Sequence, residues 1–264
     1  MKLLIDAGNR RLKWAVTRGG DAPDGARGVL DTDAIAARGD ALAAQWAAIE
    51  RPASVWVSCV AGARARHAIE ACARRAWGLQ AVFIASRARQ AGIVNAYRQP
   101  TALGSDRWAA LVAARRLFAR RPVIVVDAGT AVTVDALDGG GVFRGGVIFP
   151  GARGMRAALR ESTENIAGHN GEGKRGHGGE DPAGAPDPIA TDTRSAVMSG
   201  AWLAVAGGID LAVARQRATL PGDCRVLATG GDAERIAPLL TSGVEITPDL
   251  VLRGLAVSAA ESAS

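Results

Sequence analysis

The sequence predicts an α/β protein with two similar lobes that face each other across a cleft. The chain has 264 residues, and domains average about 150 residues, so two lobes are expected. Short apolar runs typical of strands alternate with alanine-rich segments of helical spacing, which is the pattern of an α/β lobe. A strand, turn and strand pattern at the N-terminus recurs nearly half a chain later. Duplicated lobes that face each other would bring both turns to one cleft.

The elements of the first half follow from hydrophobic spacing. A Gly-Asn turn between two apolar runs predicts a hairpin at the N-terminus. The predicted strands are residues 2–6, 12–17, 55–59 and 81–84, and the predicted helices are residues 34–49 and 64–76. Residues 105–119 form a further predicted helix with Ser105 as its N-cap, and a second group of strands begins at Pro122. The most apolar stretch, residues 196–214, is interrupted by Gly and Asp, so we interpret it as a buried helix and not a membrane span.

An internal repeat supports duplication. Residues 3–16 read LLIDAGNRRLKWAV and residues 124–137 read IVVDAGTAVTVDAL, so that Asp6 aligns with Asp127. Each copy is an apolar strand, then Asp-Ala-Gly with a small polar residue, then a second strand. The predicted lobes are residues 1–120 and residues 121–264, the latter carrying a Gly-rich insertion near 168–188.

Composition and charge indicate the cellular compartment and argue against some classes of binding partner. The three cysteines are far apart and form no CxxC pair, and Asp6 and Asn9 interrupt any signal peptide, so we expect a cytoplasmic protein. The net charge of +6 would suit nucleic acid, but the arginines are scattered, and one Tyr and four Phe offer little base stacking. We therefore expect neither nucleic acid nor membrane as a partner. A basic field would also steer small anionic substrates inward.

The two turns predict a site for phosphates and a cation. A Gly-centred turn exposes backbone N–H groups and lets a phosphate chain approach closely. Asp6 or Asp127, at the end of the preceding strand, could hold a cation directly or through water, an arrangement that suits Mg²⁺. Polar donors add to each turn: Asn9, Arg10, Arg11 and Lys13 in the first, Thr130 and Thr133 in the second. One copy alone would favour a plain hairpin, and it is the presence of two copies that favours the phosphate site.

A third candidate lies where the helix at 105–119 begins. Gly104, Ser105, Asp106 and Arg107 open this helix, whose free N–H groups and dipole favour negative charge. Asp106 should stay ionised, and in phosphoryl transfer a carboxylate needs mainly to orient the attacking hydroxyl. The alternative is that Asp106 only complements the helix dipole, with Arg107 on the surface.

Taken in order, these motifs resemble the type III pantothenate kinases, members of the acetate and sugar kinase, Hsp70 and actin superfamily with two ribonuclease-H-like lobes. The resemblance rests on an ordered set of motifs: DAGNRRLKW at 6–14, Tyr97, GSDR at 104–107, DAGTAVTVD at 127–135, GGVIFPG at 145–151, Asp-Thr at 192–193 and ATGGDA at 228–233. It implies ATP as co-substrate, Mg²⁺, a monovalent cation (potassium or ammonium), and an active site completed across a homodimer.

The resemblance also implies a role for each matching residue. The nucleotide would be bound by Asp6, Ala7, Gly8, Asn9, Arg10, Arg11, Leu12, Lys13 and Thr130. Asp6 would serve Mg²⁺ and Asp127 the monovalent cation, while Asp106 would be the catalytic base. Pantothenate would be surrounded by Tyr97, Gly104, Ser105, Asp106, Arg107 and Thr193. A lone tyrosine such as Tyr97 would also suit half-buried packing.

The activity implied is phosphorylation of pantothenate to 4′-phosphopantothenate, the first step of coenzyme A biosynthesis. Two alternatives remain open at this point. One is a non-catalytic accessory factor for transcription, which the basic charge would suit. The other is a kinase of the same fold that acts on another small polyol.

Overall fold

The computed structural model describes residues 1–37, 40–162 and 186–262. Of the Gly-rich segment predicted over 168–188, residues 168–185 lie outside the described residues. The helix predicted over residues 34–49 is described as two helices, α1 and α2, and residues 38 and 39 between them are also outside the described residues.

The first sheet has five strands in the order β3-β2-β1-β4-β5. Its strands are β1 (Lys2–Ala7), β2 (Arg11–Thr17), β3 (Arg27–Asp31), β4 (Ser54–Cys59) and β5 (Ala81–Phe83). The first three are antiparallel neighbours, whereas β4 runs parallel to β1, and β5 runs parallel to β4. The strands predicted in this half are present within one or two residues.

The second sheet repeats this arrangement and extends it. Its strands are β6 (Arg89–Gln90), β7 (Ile93–Asn95), β8 (Val123–Ala128), β9 (Ala131–Leu137), β10 (Val142–Pro150), β11 (Arg225–Thr229) and β12 (Glu245–Ile246). The order is β12-β11-β8-β9-β10-β7-β6, in which β10-β9-β8-β11-β12 matches the first sheet strand for strand. The repeat read from the sequence therefore corresponds to a repeat of topology.

The helices flank and join the two sheets. They are α1 (Thr32–Ala37), α2 (Asp40–Trp46), α3 (Gly62–Trp77), α4 (Ser105–Leu117), α5 (Ala152–Ser162), α6 (Thr193–Arg217), α7 (Ala233–Ile236) and α8 (Leu250–Glu261), with 3₁₀ turns at Pro100–Ala102 and Ala237–Leu239. Ser105 is not the N-cap of α4 as predicted. Gly104 has that position, and the Ser105 hydroxyl instead lies 3.0 Å from the hydroxyl of Ser58 on β4.

Sheet membership does not change at residue 120. Strands β6 and β7 precede that residue but extend the second sheet. Helix α8, near the C-terminus, packs against the first sheet, where Leu252, Leu255 and Ala256 form a buried cluster with Leu4 and Ala15. The division into 1–120 and 121–264 stays a prediction about folding units.

Helix α6 combines a buried face with an exposed one. Trp202, Val205 and Ile209 are buried in the core of the second lobe, whereas Leu203 and Leu211 are 42% and 60% exposed. The buried helix predicted from the sequence is thus half-buried. By length and hydropathy alone, α6 could also cross a membrane.

Helices α4 and α8 contact each other at the backbone, which leads to a prediction. A Cβ atom added to Gly254 on α8 would overlap the carbonyl group of Ala109 on α4. Because backbone atoms cannot yield as a side chain can, Gly254→Ala should lower the free energy of unfolding by about 1–3 kcal/mol in urea titrations.

Gly207→Ala is the matched control for this prediction. Gly207 is also helical, but nothing lies within 4 Å of its added Cβ. Removing the backbone freedom of glycine there should raise stability by up to about 1 kcal/mol. Equal effects of the two substitutions would contradict the close packing of α4 on α8.

Candidate active site

The two repeated turns and the start of α4 lie at one cleft. The cavity measures about 250 Å³. Its lining includes the following predicted residues: Asp6, Gly8, Asn9, Arg10, Arg11, Lys13, Asp106, Asp127, Thr130 and Thr133. The first sheet, the second sheet and α4 thus each contribute polar side chains to the same space.

Each turn is closed by its own backbone. The Gly8 N–H donates to the Arg11 carbonyl at 3.1 Å, and the Gly129 N–H donates to the Ala131 carbonyl at 3.1 Å. Ala7 and Leu12 are fully buried, so they anchor the first turn to the core and do not line the cleft. The small residues at each turn leave the backbone open to a ligand.

Cross-strand register sets which side chains accompany the two carboxylates. Asp6 pairs with Lys13 across the first hairpin. At the equivalent place in the second hairpin, Asp127 pairs with Thr133. The first turn therefore carries a cationic side chain where the second carries a hydroxyl.

Strand β11 closes the cleft behind Asp127. Gly230, just after this strand, has φ +98°, and an added Cβ would overlap both the Ala128 carbonyl oxygen and the Asp127 carboxylate. Glycine is therefore required there for conformational and steric reasons. The next residue, Gly231, lines the cleft as well, and the Asp232 N–H donates to the Ala128 carbonyl at 2.9 Å.

The partly buried carboxyl groups of Asp6 and Asp127 both have raised pKa values. Burial, with a further contribution from the charge of Asp127, raises the pKa of Asp6 from 3.8 to about 7, although Lys13 acts in the opposite direction. Burial and the charge of Asp106 raise the pKa of Asp127 from 3.8 to about 6. Negative charge is thus concentrated in the cleft without full compensation.

This excess of negative charge fits a bound cation. In the described part of the chain, no group of three or more potential ligands is placed to hold a metal alone. Mg²⁺ in nucleotide sites commonly takes one or two carboxylates and completes its shell with phosphates and water. Asp6 and Asp127 fit that requirement.

Asp106 is fixed by the first turn of α4. Its Oδ1 accepts a hydrogen bond from the Arg107 backbone N–H at 2.7 Å. Gly104 lies directly behind it, since an added Cβ there would be 2.6 Å from the same Oδ1. Asp106 therefore lines the cleft while one of its carboxylate oxygens is held by the helix backbone.

Tyr97 and Arg107 lie beside the cleft but not in its lining. Arg107 is 8% exposed and forms a buried ion pair with Asp135 of β9. Its Nη1 also donates to the Tyr97 hydroxyl at 3.2 Å. Although burial lowers the pKa of Arg107, the hydrogen bond and charge of Asp135 raise it above the ordinary value, so the guanidinium stays charged. The surface position considered for Arg107 is wrong.

Thr193 does not line the cleft that contains Asp106. It opens α6, where Asp192 caps the helix by accepting the Ser195 N–H at 2.9 Å. This end of α6 borders a separate groove that also involves Leu159 of α5. Within one chain, Thr193 is not brought to the cleft with Asp106.

Comparison with known proteins identifies the family. The family model described as Type III pantothenate kinase matches residues 2–215. The chain belongs to this family. A type III pantothenate kinase from Aromatoleum aromaticum is 41% identical over 264 residues and covers 100% of both chains. One from Paraburkholderia phymatum is 36% identical over 279 residues, which is 98% of this chain and 94% of the relative.

Solved structures share the fold at low identity. A Campylobacter jejuni protein assigned to the Baf family of transcriptional activators has TM-score 0.59 and 17% identity, covering 99% of this chain and 98% of that one. The activator of 2-hydroxyisocaproyl-CoA dehydratase from Clostridium difficile, with bound ADPNP, has TM-score 0.52 and 13% identity. The match covers 99% of this chain and 95% of that one. These likenesses concern the fold alone, and they confirm the predicted class of actin, sugar kinases and Hsp70.

This type III pantothenate kinase chain also has cleft residues that the sequence did not single out. Asp249, just before α8, lines the cleft with φ +57°, a backbone conformation that is uncommon for a residue other than glycine. Its carboxylate accepts from Arg27 Nη1 at 3.2 Å, and its charge adds to the rise in the pKa of Asp6. Arg153 lines the cleft as well, beside Asp232 of the ATGGDA motif that the sequence analysis did include. An Asp immediately before an apolar helical run was the available signal for Asp249.

Proposed function

We propose that this chain transfers the γ-phosphoryl group of ATP to the primary hydroxyl of pantothenate, which gives 4′-phosphopantothenate and ADP. The observation that carries the proposal is that Asp106 and both Asp-Ala-Gly turns line one cleft, in a chain of this family. The reaction would be the first step of coenzyme A biosynthesis in the cytoplasm.

The two turns would hold the nucleotide from opposite sides. Backbone N–H groups around Gly8 and Gly129 would face the phosphates, with Lys13 and Thr130 adding side-chain donors. Mg²⁺, held by Asp6 through oxygen or water, would neutralise charge that develops on the phosphoryl oxygens. Asp127 would hold the monovalent cation, potassium or ammonium, since its carboxylate lacks full compensation within the chain.

Asp106 would be the base that orients the substrate hydroxyl. Its Oδ1 is already occupied by the Arg107 backbone N–H, so Oδ2 is the oxygen available to accept the hydroxyl hydrogen bond. The hydroxyl oxygen then attacks the γ-phosphorus while the bond between the γ-phosphorus and the bridging oxygen of the β-phosphate breaks. ADP leaves, and the hydroxyl proton passes to Asp106. Because this transition state is loose, positioning contributes more than strong basicity.

A homodimer would complete the substrate site. Thr193 lies away from Asp106 within one chain, so its proposed contact with pantothenate requires Thr193 of the partner subunit. The exposed apolar residues Leu203 and Leu211 of α6 would suit such an interface. Tyr97, Gly104, Ser105 and Arg107 would bound the substrate from the same chain as Asp106.

An assay of ADP release with product identification tests the proposal. We expect turnover with pantothenate, a product heavier by one phosphoryl group, and a rate that rises when potassium replaces sodium. Sugars and other small polyols form the second arm. Turnover of a polyol with none of pantothenate would overturn the proposal in favour of another kinase of this fold.

Binding to random duplex DNA at two salt concentrations tests the transcription alternative. A complex that depends on phosphate contacts must weaken steeply as salt rises. Tight, salt-sensitive binding together with absent kinase turnover would favour the accessory factor. The Campylobacter jejuni structure does not support this alternative, because at 17% identity it concerns the fold alone.

A further inference from the structure

The ion pair between Arg107 and Asp135, next to Asp106, fixes the orientation of the Arg107 guanidinium. Arg107 Nε donates to Asp135 Oδ2 at 2.9 Å, and Nη2 donates to Oδ1 of the same carboxylate. The third donor, Nη1, reaches the Tyr97 hydroxyl at 3.2 Å. A guanidinium held at three nitrogens cannot rotate without breaking at least one of these bonds.

The neighbouring strand leaves room for this pair. Gly146 of β10 lies directly opposite Asp135 in the antiparallel register. A Cβ at Gly146 would overlap the Asp135 carboxylate and come within 3.0 Å of Arg107 Nη2. A side chain at this position would therefore displace the pair.

The pair is poorly explained by stability alone. The side chains of Arg107 and Asp135 are 8% and 2% exposed, so both charges are removed from water. The cost of removing two charges from water commonly cancels much of their attraction, and an apolar pair of similar size would serve the core as well. A geometric role is the better account.

The pair connects to the reacting end of the site through one residue. Asp135 fixes the Arg107 side chain, and the Arg107 backbone N–H in turn holds Asp106 Oδ1 at 2.7 Å. The same contact ties the first turn of α4 to β9, the strand that also carries Thr133 at the cleft. Movement of Arg107 would thus change the direction of the Asp106 carboxylate.

We propose that Asp135 is a positioning residue that fixes Arg107 and thereby aims Asp106 at the substrate hydroxyl. This inference rests on the proposed function. Asp135 does not line the cleft and touches no reacting atom, and the side chain that it holds directly is Arg107.

The test compares Asp135→Asn with two controls. We expect kcat with pantothenate to fall about 10- to 100-fold, as for a small misplacement of a reacting group, while the KM for ATP changes less than threefold. Glu245→Gln, which breaks the exposed pair with Arg225, should leave kcat unchanged. Ile69→Val, in the core of the first lobe, controls for lost stability without altered geometry.

A spectroscopic readout makes the test independent of turnover. Tyr97 is the only tyrosine in the sequence, so ¹³Cζ-labelled tyrosine gives a single ring resonance that reports the Arg107 contact. Asp135→Asn should shift or split this resonance, whereas Glu245→Gln and Ile69→Val should not.

The possible failures can be told apart. An unchanged Tyr97 resonance in Asp135→Asn would overturn the positioning role. So would a loss of kcat no greater than that of Ile69→Val. Absence of pantothenate turnover in the unmodified protein would overturn the proposed function instead, while the resonance would still decide whether Asp135 holds Arg107.

Discussion

Asp106→Asn is expected to lower kcat about 10²- to 10⁴-fold, the range usual for loss of a general base. Asparagine keeps the size of the side chain and can still accept the Arg107 N–H, so the first turn of α4 should persist. It cannot take the hydroxyl proton. Because Asp106 orients pantothenate and not the nucleotide in this mechanism, the Kd for ATP should change by less than a factor of a few. Steady-state kinetics and calorimetric titration with nucleotide measure the two quantities.

Asp33→Asn is the matched control for that substitution. Asp33 also lies in the first turn of a helix, α1, but it does not line the cleft. The same change of charge at a helix start should leave kcat within about twofold. If Asp106→Asn behaves like Asp33→Asn, the carboxylate at Asp106 serves the helix dipole and another group is the base.

The convergence of the turns could be anticipated because topology repeats with sequence. Asp6 and Asp127 are the penultimate residues of equivalent strands, β1 and β8. Strand β1 is central in the first sheet, and β8 is central among the five strands of the second sheet that match it. Equivalent strands in duplicated lobes present their turns in equivalent ways, so a single Asp-Ala-Gly repeat was sufficient to place both carboxylates. Local pattern and a repeat thus predicted the side of the cleft on which the proposed nucleotide site lies.

The proposed substrate side was harder to predict because it depends on contacts between distant segments. The pairing of Arg107 with Asp135 joins α4 to β9, and no local pattern states which face of α4 meets that strand. Strand β6 has two residues and strand β7 has three, too few for a periodicity that would assign them to the second sheet. Ser105 has a side chain typical of an N-cap, but Gly104 is the N-cap of α4 and the Ser105 hydroxyl hydrogen-bonds with the hydroxyl of Ser58.

The stability of the ligand-free protein should fall as pH rises, and Asp6→Asn should remove much of that dependence. The pKa of Asp6 is about 7 in the folded state and 3.8 in the reference state, so folding favours the protonated form. Its contribution is fully present below about pH 4 and is lost as pH rises through 7. A rise of about 3 units corresponds to at most about 4 kcal/mol. Urea unfolding at pH 4.5, 6 and 8, without divalent cation or nucleotide, should show Asp6→Asn gaining on the unmodified protein as pH increases.

The same carboxylate predicts proton release when a cation binds. With a pKa of about 7, Asp6 in the free protein is partly protonated at pH 7. Binding of Mg²⁺ with nucleotide should expel that proton, so the heat of binding should depend on the ionisation enthalpy of the buffer. Asp6→Asn should reduce this dependence, whereas Asp31→Asn, at the exposed end of β3, should not.

The unfolding experiment decides whether the Asp6 carboxyl has this raised pKa. If the unmodified protein and Asp6→Asn lost stability in parallel from pH 4.5 to 8, burial of the Asp6 charge would not be the cause of the pH dependence. The argument for a cation at this carboxylate would then lose its electrostatic basis.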